Sequence, residues 1–304
     1  MRSLRNMLLT VAVLGLGAPA FAAEKLPVVA TFSILGDMVS TIGGDRIAVT
    51  SLVGADQDAH VFEPKPSDVK AVSQAKLVVS NGLGFEGWIA RLVKSSNYKG
   101  ELVVVTEGIQ ARKMEADEHG AHKGHSKEIA DPHAWQNPAN AVIYTKAIVA
   151  SLSKVDPEGA ALYQQNGDHY IQAITELDTW AKAQFEQIPV AKRKVITSHD
   201  AFGYLGAQYG IKFLSPQGVS TEGAASAKDV ANLIRQIKRE RIKAVFIENM
   251  SNPKVLEQLS KEADISPVGE LYPDALSAAD GPAPSYLKMM RHNVEQLLAG
   301  LKRN

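Results

Sequence analysis

The chain has 304 residues, 45% apolar and 22% charged, and its 33 Lys and Arg balance 33 Asp and Glu. At roughly 100 to 200 residues per domain this length predicts two domains, each able to bury its own core, and the even charge excludes nucleic-acid or acidic-surface binding driven by overall charge. Cysteine is absent, which removes disulfides, thiolate metal sites, cysteine nucleophiles and a lipidated cysteine together, so any metal must be held by His, Asp or Glu.

The one long apolar run comes first. Arg2 and Arg5 precede Met7 to Gly17, and the small-residue stretch Ala18, Pro19, Ala20, Phe21, Ala22 follows. This is the pattern of a secretory signal peptide, residues 1–22, cleaved after Ala22 or Ala23. Its removal takes away two arginines and no acidic residue, leaving a mature charge of −2. The expected product is exported, unanchored and periplasmic.

Beyond it, short β-branched runs alternate with amphipathic stretches: LPVVATF at 26–32, KLVVSN at 76–81, ELVVVTE at 101–107, KVITS at 194–198 and KAVFIEN at 243–249. Such alternation predicts an α/β fold of βα units around parallel sheets with flanking helices. One stretch breaks the rhythm. From Asp156, with Pro157 in the first helical position, the helical pattern holds to Ile188 and Pro189, about 32 residues and roughly 48 Å. Leu162, Tyr163, Tyr170, Ile171, Ile174, Leu177 and Ala181 give it an apolar stripe. We read a spine helix over 156–188, joining an N-terminal lobe at 24–155 to a C-terminal lobe at 189–304. Residues 67–81 and 227–249 each open on Asp-Val and run into an apolar strand, a weak internal repeat that predicts two similar lobes with a cleft between them.

Histidine is scarce, eight in all, so its placement is informative. His60 follows the apolar stretch IAVTSLVG and precedes Pro64 and Pro66; His133 lies in DPHAWQNPAN, where Asn137 and Pro138 read as a helix N-cap and first residue; His199 lies at the end of the strand pattern in KVITSHD, just as a helical pattern begins. Ligands of open parallel sheets bind outside the carboxyl ends of the strands, where such junctions converge. Asp274, in PVGELYPDALS, is a fourth candidate, with a turn cap as its plainer role. Three imidazoles and one carboxylate form a closed four-coordinate set of the kind Zn²⁺ accepts at about 2.0 to 2.2 Å, whereas Mn²⁺ and Ca²⁺ prefer more oxygen and more ligands.

Four phrases make the chemistry specific: HVFEP at 60–64, DPHAWQNP at 131–138, TSHDAFGY at 197–204 and LYPDALS at 271–277. In order and spacing they resemble the metal-ligand motifs of the zinc and manganese solute-binding proteins of ABC importers, the TroA/ZnuA-like group. The resemblance implies His60 and His133 from the N-terminal lobe and His199 and Asp274 from the C-terminal lobe meeting around one ion in the interlobe cleft. Manganese members typically carry Glu at the position of His199, which implies the zinc type here. Asn137 replaces an Asp often found in the second motif, which leaves open what supports His133. The implied function is not enzymatic: capture of Zn²⁺ in the periplasm by a monomer and delivery to an ABC transporter permease in the inner membrane, with a periplasmic zinc chaperone as a further partner and no nucleic acid. The alternatives are manganese transport, a zinc chaperone or adhesin without transport, and a zinc hydrolase, which would need an open coordination position and a nearby base.

His119, His122 and His125, three apart in MEADEHGAHKGHSKE, read from composition as a solvated loop. By resemblance to the His-rich loop of zinc members they form an auxiliary low-affinity metal collector. His169 and His292 are expected to be ordinary surface or packing residues. Gly82, Gly84 and Gly87 spell GxGxxG after KLVVSN, the dinucleotide-binding pattern, but Glu86 would set a carboxylate where a pyrophosphate must lie.

Overall fold

The computed structural model describes residues 24–115, 128–223 and 225–304; the expected signal segment, residues 1–22, lies outside them. The first apolar run forms β1 (Leu26–Phe32), whose last five residues are buried because helices cover both faces of a parallel sheet. The chain then alternates through α1 (Ser33–Gly43), β2 (Ile47–Val53), α2 (Pro66–Gln74), β3 (Leu77–Ser80), α3 (Ile89–Ser95) and β4 (Glu101–Val104). These strands make one parallel sheet in the order β2-β1-β3-β4.

An antiparallel hairpin, β5 (Lys113–Glu115) and β6 (Glu128–Ala130), follows, then the helices α4 (Pro138–Val155) and α5 (Ala160–Glu186). The second half repeats the earlier alternation: β7 (Lys194–Ile196), α6 (Gly203–Tyr209), β8 (Lys212–Leu214), α7 (Ala227–Glu240), β9 (Phe246–Glu248), α8 (Lys254–Ala263) and β10 (Gly269–Leu271), closed by α9 (Tyr286–Leu301). The parallel pairs β7–β8 and β9–β10 are joined by a bridge between Ile196 and Val245, so the order is β8-β7-β9-β10. Counting strands from the start of each half, both sheets read second, first, third, fourth. The repeat between 67–81 and 227–249 has a structural meaning: α2 running into β3 corresponds to α7 running into β9.

The long helix is shorter than its sequence pattern. Pro157–Gly159 form a 3-10 turn, and α5 runs over 27 residues, about 40 Å. A tight turn at 156–159 folds α5 back along α4, and Gly167 permits their close approach, since a Cβ there would stand 2.5 Å from Val149 Cγ2. The buried residues of α5, Tyr163, Gly167, Tyr170, Ile174, Leu177, Ala181 and Phe185, recur every three or four positions and face α1, α4 and α9. Leu162, expected in this stripe, is exposed instead. Each large apolar side chain so buried contributes about 1.5 to 3 kcal/mol. One apolar core runs without interruption from the first sheet through α4 and α5 to α6 and α9, and a smaller one lies under α7 and α8.

Candidate metal centre

His60 lies in the loop between β2 and α2, His133 between β6 and α4, His199 between β7 and α6, and Asp274 after β10. His199 does not end a strand as its pattern suggested: β7 stops at Ile196, and the loop 197–202, buried except for half-buried Asp200, carries it. Asn137 caps α4 as expected, its side chain accepting from the Ala139 N–H at 2.9 Å with Pro138 next in the helix. That cap fixes the direction in which the His133 turn enters the helix.

The structure brings all four side chains together. His199, His133 and Asp274 are fully buried and His60 is 7% exposed. One donor atom from each lies within 4.8 Å of every other. His60 Nε2 is 3.3 Å from His133 Nε2 and 3.3 Å from Asp274 Oδ2. His199 Nε2 is 3.1 Å from Asp274 Oδ2, and His133 Nε2 is 3.5 Å from Asp274 Oδ1. Two donors bonded to one tetrahedral ion at 2.0 to 2.1 Å stand roughly 3.3 Å apart, which is the spacing found. Among the described residues, His199 Nε2 and both Asp274 oxygens are buried with no hydrogen-bond partner. Buried polar atoms are nearly always satisfied, so three such atoms converging on one point fit a bound cation.

Two further carboxylates stand behind the histidines. Asp131 Oδ1 takes both the backbone N–H of His133, at 3.0 Å, and its ring Nδ1, at 2.9 Å. Glu248, at the end of β9, does the same for His199: Oε1 accepts the backbone N–H groups of Ser198 and His199 at 2.9 and 3.1 Å, and Oε2 lies 2.6 Å from His199 Nδ1. Each leaves Nε2 facing the centre. The support for His133 that Asn137 left open therefore comes from Asp131. Sequence reasoning singled out neither carboxylate. The Asp-x-His spacing, repeated at Asp58–His60 and Asp131–His133, was a usable signal for Asp131, since Asp58 also takes the His60 backbone N–H. Glu248 is 49 residues from its histidine and carries no local signal.

The electrostatics follow from this crowding. Burial works against a charged His199, but Glu248 and Asp274 outweigh it and hold its pKa well above the ordinary value. Burial likewise opposes an ionised Asp274, yet His133 and His199 hold its pKa well below the usual carboxylate range. Phe85 packs edge-on to His60 at 4.7 Å, and Trp135 borders His133 at 5.4 Å, walling the centre with apolar rings.

The two loops that carry His133 and Asp274 are tied together across the cleft. Trp135 Nε1 and Gln136 Nε2 both donate to the Pro273 carbonyl, at 2.8 and 2.7 Å, and Tyr286 Oη donates to the Trp135 carbonyl at 2.8 Å.

The glycine-rich turn is filled from within. Glu86 is buried and accepts from Thr31 Oγ1 and from the backbone N–H groups of Asn81 and Gly82. Its carboxylate thus takes the donors that a pyrophosphate would need. His292 packs on Tyr272 and contacts the Glu270 carbonyl, and His169 is exposed. His119, His122 and His125 lie outside the described residues.

Over residues 28–300 the chain matches the family described as ZnuA, zinc-uptake complex component A, periplasmic. It is 32% identical over 278 residues to the manganese-binding lipoprotein MntA of Halalkalibacterium halodurans, covering 91% of this chain and 89% of that one. It is also 32% identical over 302 residues to the iron ABC transporter substrate-binding lipoprotein MtsA of Streptococcus pyogenes serotype M1, covering 97% and 95%. Among solved structures, the periplasmic zinc binding protein TroA from Treponema pallidum superposes with a TM-score of 0.84 at 28% identity, covering 91% of this chain and 99% of that one.

Proposed function

Because this chain belongs to the ZnuA family of substrate-binding proteins of metal ABC transporters, which hand cargo to a membrane permease, we propose that its own cargo is Zn²⁺, captured in the periplasm. The observation that carries this reading is the donor set: three imidazole Nε2 atoms and one carboxylate, with four donor pairs 3.1 to 3.5 Å apart and all within 4.8 Å of one another. In this reading His60, His133, His199 and Asp274 are the metal ligands. Nitrogen-rich four-coordination suits a borderline-soft ion better than Mn²⁺, which favours oxygen and higher coordination number. Asp274 as fourth ligand closes the position that a zinc hydrolase would keep open.

Manganese is the second reading. Relatives bear manganese and iron names, and among the described residues both Asp274 oxygens lack a hydrogen-bond partner, so a bidentate carboxylate would add an oxygen donor. A competition between Zn²⁺ and Mn²⁺ for the purified protein, with metal analysis of the product, decides. One tightly held Zn²⁺ and much weaker Mn²⁺ are expected; tighter Mn²⁺ overturns the cargo and leaves the family assignment standing.

Periplasmic location rests on the signal-like residues 1–22. Relatives are named lipoproteins, whereas this chain has no cysteine to carry a lipid. Among the described residues no helix is long and apolar enough to cross a membrane. The His119, His122 and His125 segment fits a weak collector that passes ions to the fixed site, a monomer working with the permease and a zinc chaperone.

A further inference from the structure

We propose that Glu248 is the positioning residue that makes His199 a metal donor, by fixing which ring nitrogen carries the proton. The inference rests on the reading of His199 as a ligand, and it comes from how the two Glu248 oxygens are shared. Oε1 is committed to two backbone donors, Ser198 N–H and His199 N–H, at 2.9 and 3.1 Å. Oε2 faces His199 Nδ1 at 2.6 Å and accepts from Ser251 Oγ at 2.6 Å. Glu248 is itself buried, 3% exposed. A carboxylate is acceptor-only, so the proton of a neutral His199 must sit on Nδ1, and the lone pair of Nε2 points at His60, His133 and Asp274. The pair lies at the topological switch point of the second sheet, between the adjacent strands β7 and β9, where the connecting loops diverge.

This arrangement has a counterintuitive consequence. A glutamine at 248 matches the glutamate in shape, but its two ends are no longer alike. The end facing the Ser198 and His199 N–H groups must be the amide oxygen, since an NH₂ there would oppose two donors. The NH₂ then falls where Oε2 was and donates to Nδ1. His199 is driven to the tautomer with hydrogen on Nε2, which has no lone pair for a metal. Ser251 Oγ can turn and accept, so nothing nearby resists the inverted arrangement. An alanine at 248 leaves the ring free to choose its tautomer. The isosteric variant must therefore be the more damaging one.

The test is a competitive chelator titration with Zn²⁺ for the full mature chain and its E248A, E248Q and E248D variants, with metal-free melting temperatures as the folding control. We expect E248A to weaken binding ~10-fold and E248Q ~100-fold or more, with E248D, which keeps an acceptor-only group, recovering part of the loss. A residue that merely supports the fold would rank glutamine milder than alanine; that order, or equal losses, overturns the proposal. If E248A fails to fold, the ¹⁵N–¹H correlation pattern of His199 in metal-free E248Q, read at a pH where the ring is neutral, decides in its place. Hydrogen on Nε2 is expected, and hydrogen on Nδ1 overturns the proposal. A wild-type protein that binds no Zn²⁺ would instead overturn the proposed cargo, and the tautomer measurement would still stand.

Discussion

Removing one donor at a time separates residues that look equivalent around the centre. With Asp274→Ala, a water can take the vacated position, and three imidazoles plus water is itself a stable zinc arrangement. His199→Ala leaves two nitrogens and also strands the buried Glu248 carboxylate without its Nδ1 partner. We therefore expect the larger loss of Zn²⁺ affinity, and the smaller zinc-induced rise in melting temperature, from His199→Ala; the reverse order would mean that the carboxylate organises the site. Acid should act on the same residue. Glu248 and Asp274 hold the His199 pKa well above 6.5 against the effect of burial, so a proton competes with the metal from above neutrality downward. Affinity measured from about pH 8 to about pH 5 should fall throughout, and a flat profile would remove proton competition at His199. The four central residues were legible through the phrases HVFEP, DPHAWQNP, TSHDAFGY and LYPDALS, whose resemblance to metal-ligand motifs singled them out, and the structure brings their side chains together. Glu248 was not legible, because what pairs it with His199 is the adjacency of β7 and β9, a property of sheet order that no local pattern records.

The turn between α4 and α5 illustrates how an element's boundary is decided by tertiary partners. Pro157 reads as the first residue of a helix, but Asp156 is engaged elsewhere: its carboxylate accepts from Arg46 Nε and Nη2, each at 2.8 Å, and from Tyr163 Oη. That hold keeps 157–159 in a 3-10 turn and delays α5 to Ala160. The hydrogen bonds from Arg46 lower the Asp156 pKa to about 2, below the ordinary carboxylate value near 4. A depressed folded-state pKa contributes stability that is complete above the unfolded value and lost as pH falls through the folded one. Asp156→Asn should therefore lower the urea midpoint at neutral pH, and the gap from wild type should close between about pH 4 and about pH 2. Arg46 is 38% exposed, so the effect should be modest, on the order of 1 kcal/mol; a gap that does not narrow in acid would place the contribution elsewhere. The five β-branched runs each became a strand, but β5, β6 and β8 were not foreseen, and strand ends were not legible: ELVVVTE pairs only over Glu101–Val104 and KAVFIEN only over Phe246–Glu248. The repeat was faint in sequence because only buried positions must match for two halves to adopt the same strand order.

At the scale of the whole molecule, two features oppose a wide opening of the cleft. One apolar core passes through α4, α5 and α9 from one half to the other, and packed interiors do not deform continuously. The Pro273 carbonyl also takes two buried hydrogen bonds from Trp135 and Gln136, with no metal involved. The loops of His133 and Asp274 are thereby held as a pair across the cleft, and on the proposed ligand set His60 and His199 are the two left free of that tie. Small-angle scattering with Zn²⁺ and with chelator should give indistinguishable radii of gyration; a clear expansion on metal removal would mean that the lobes swing apart and that the Pro273 bonds break.

The same carbonyl has a consequence for communication. If an empty molecule and a loaded one share nearly one outline, a receiving permease cannot tell them apart by silhouette, as it could with a binding protein that snaps shut. Occupancy must be advertised in fine print at the rim, in the loop where half-exposed Val61 adjoins His60, the least enclosed of the four residues. The message that cargo is aboard would then be written in a few side chains rather than in the shape of the protein.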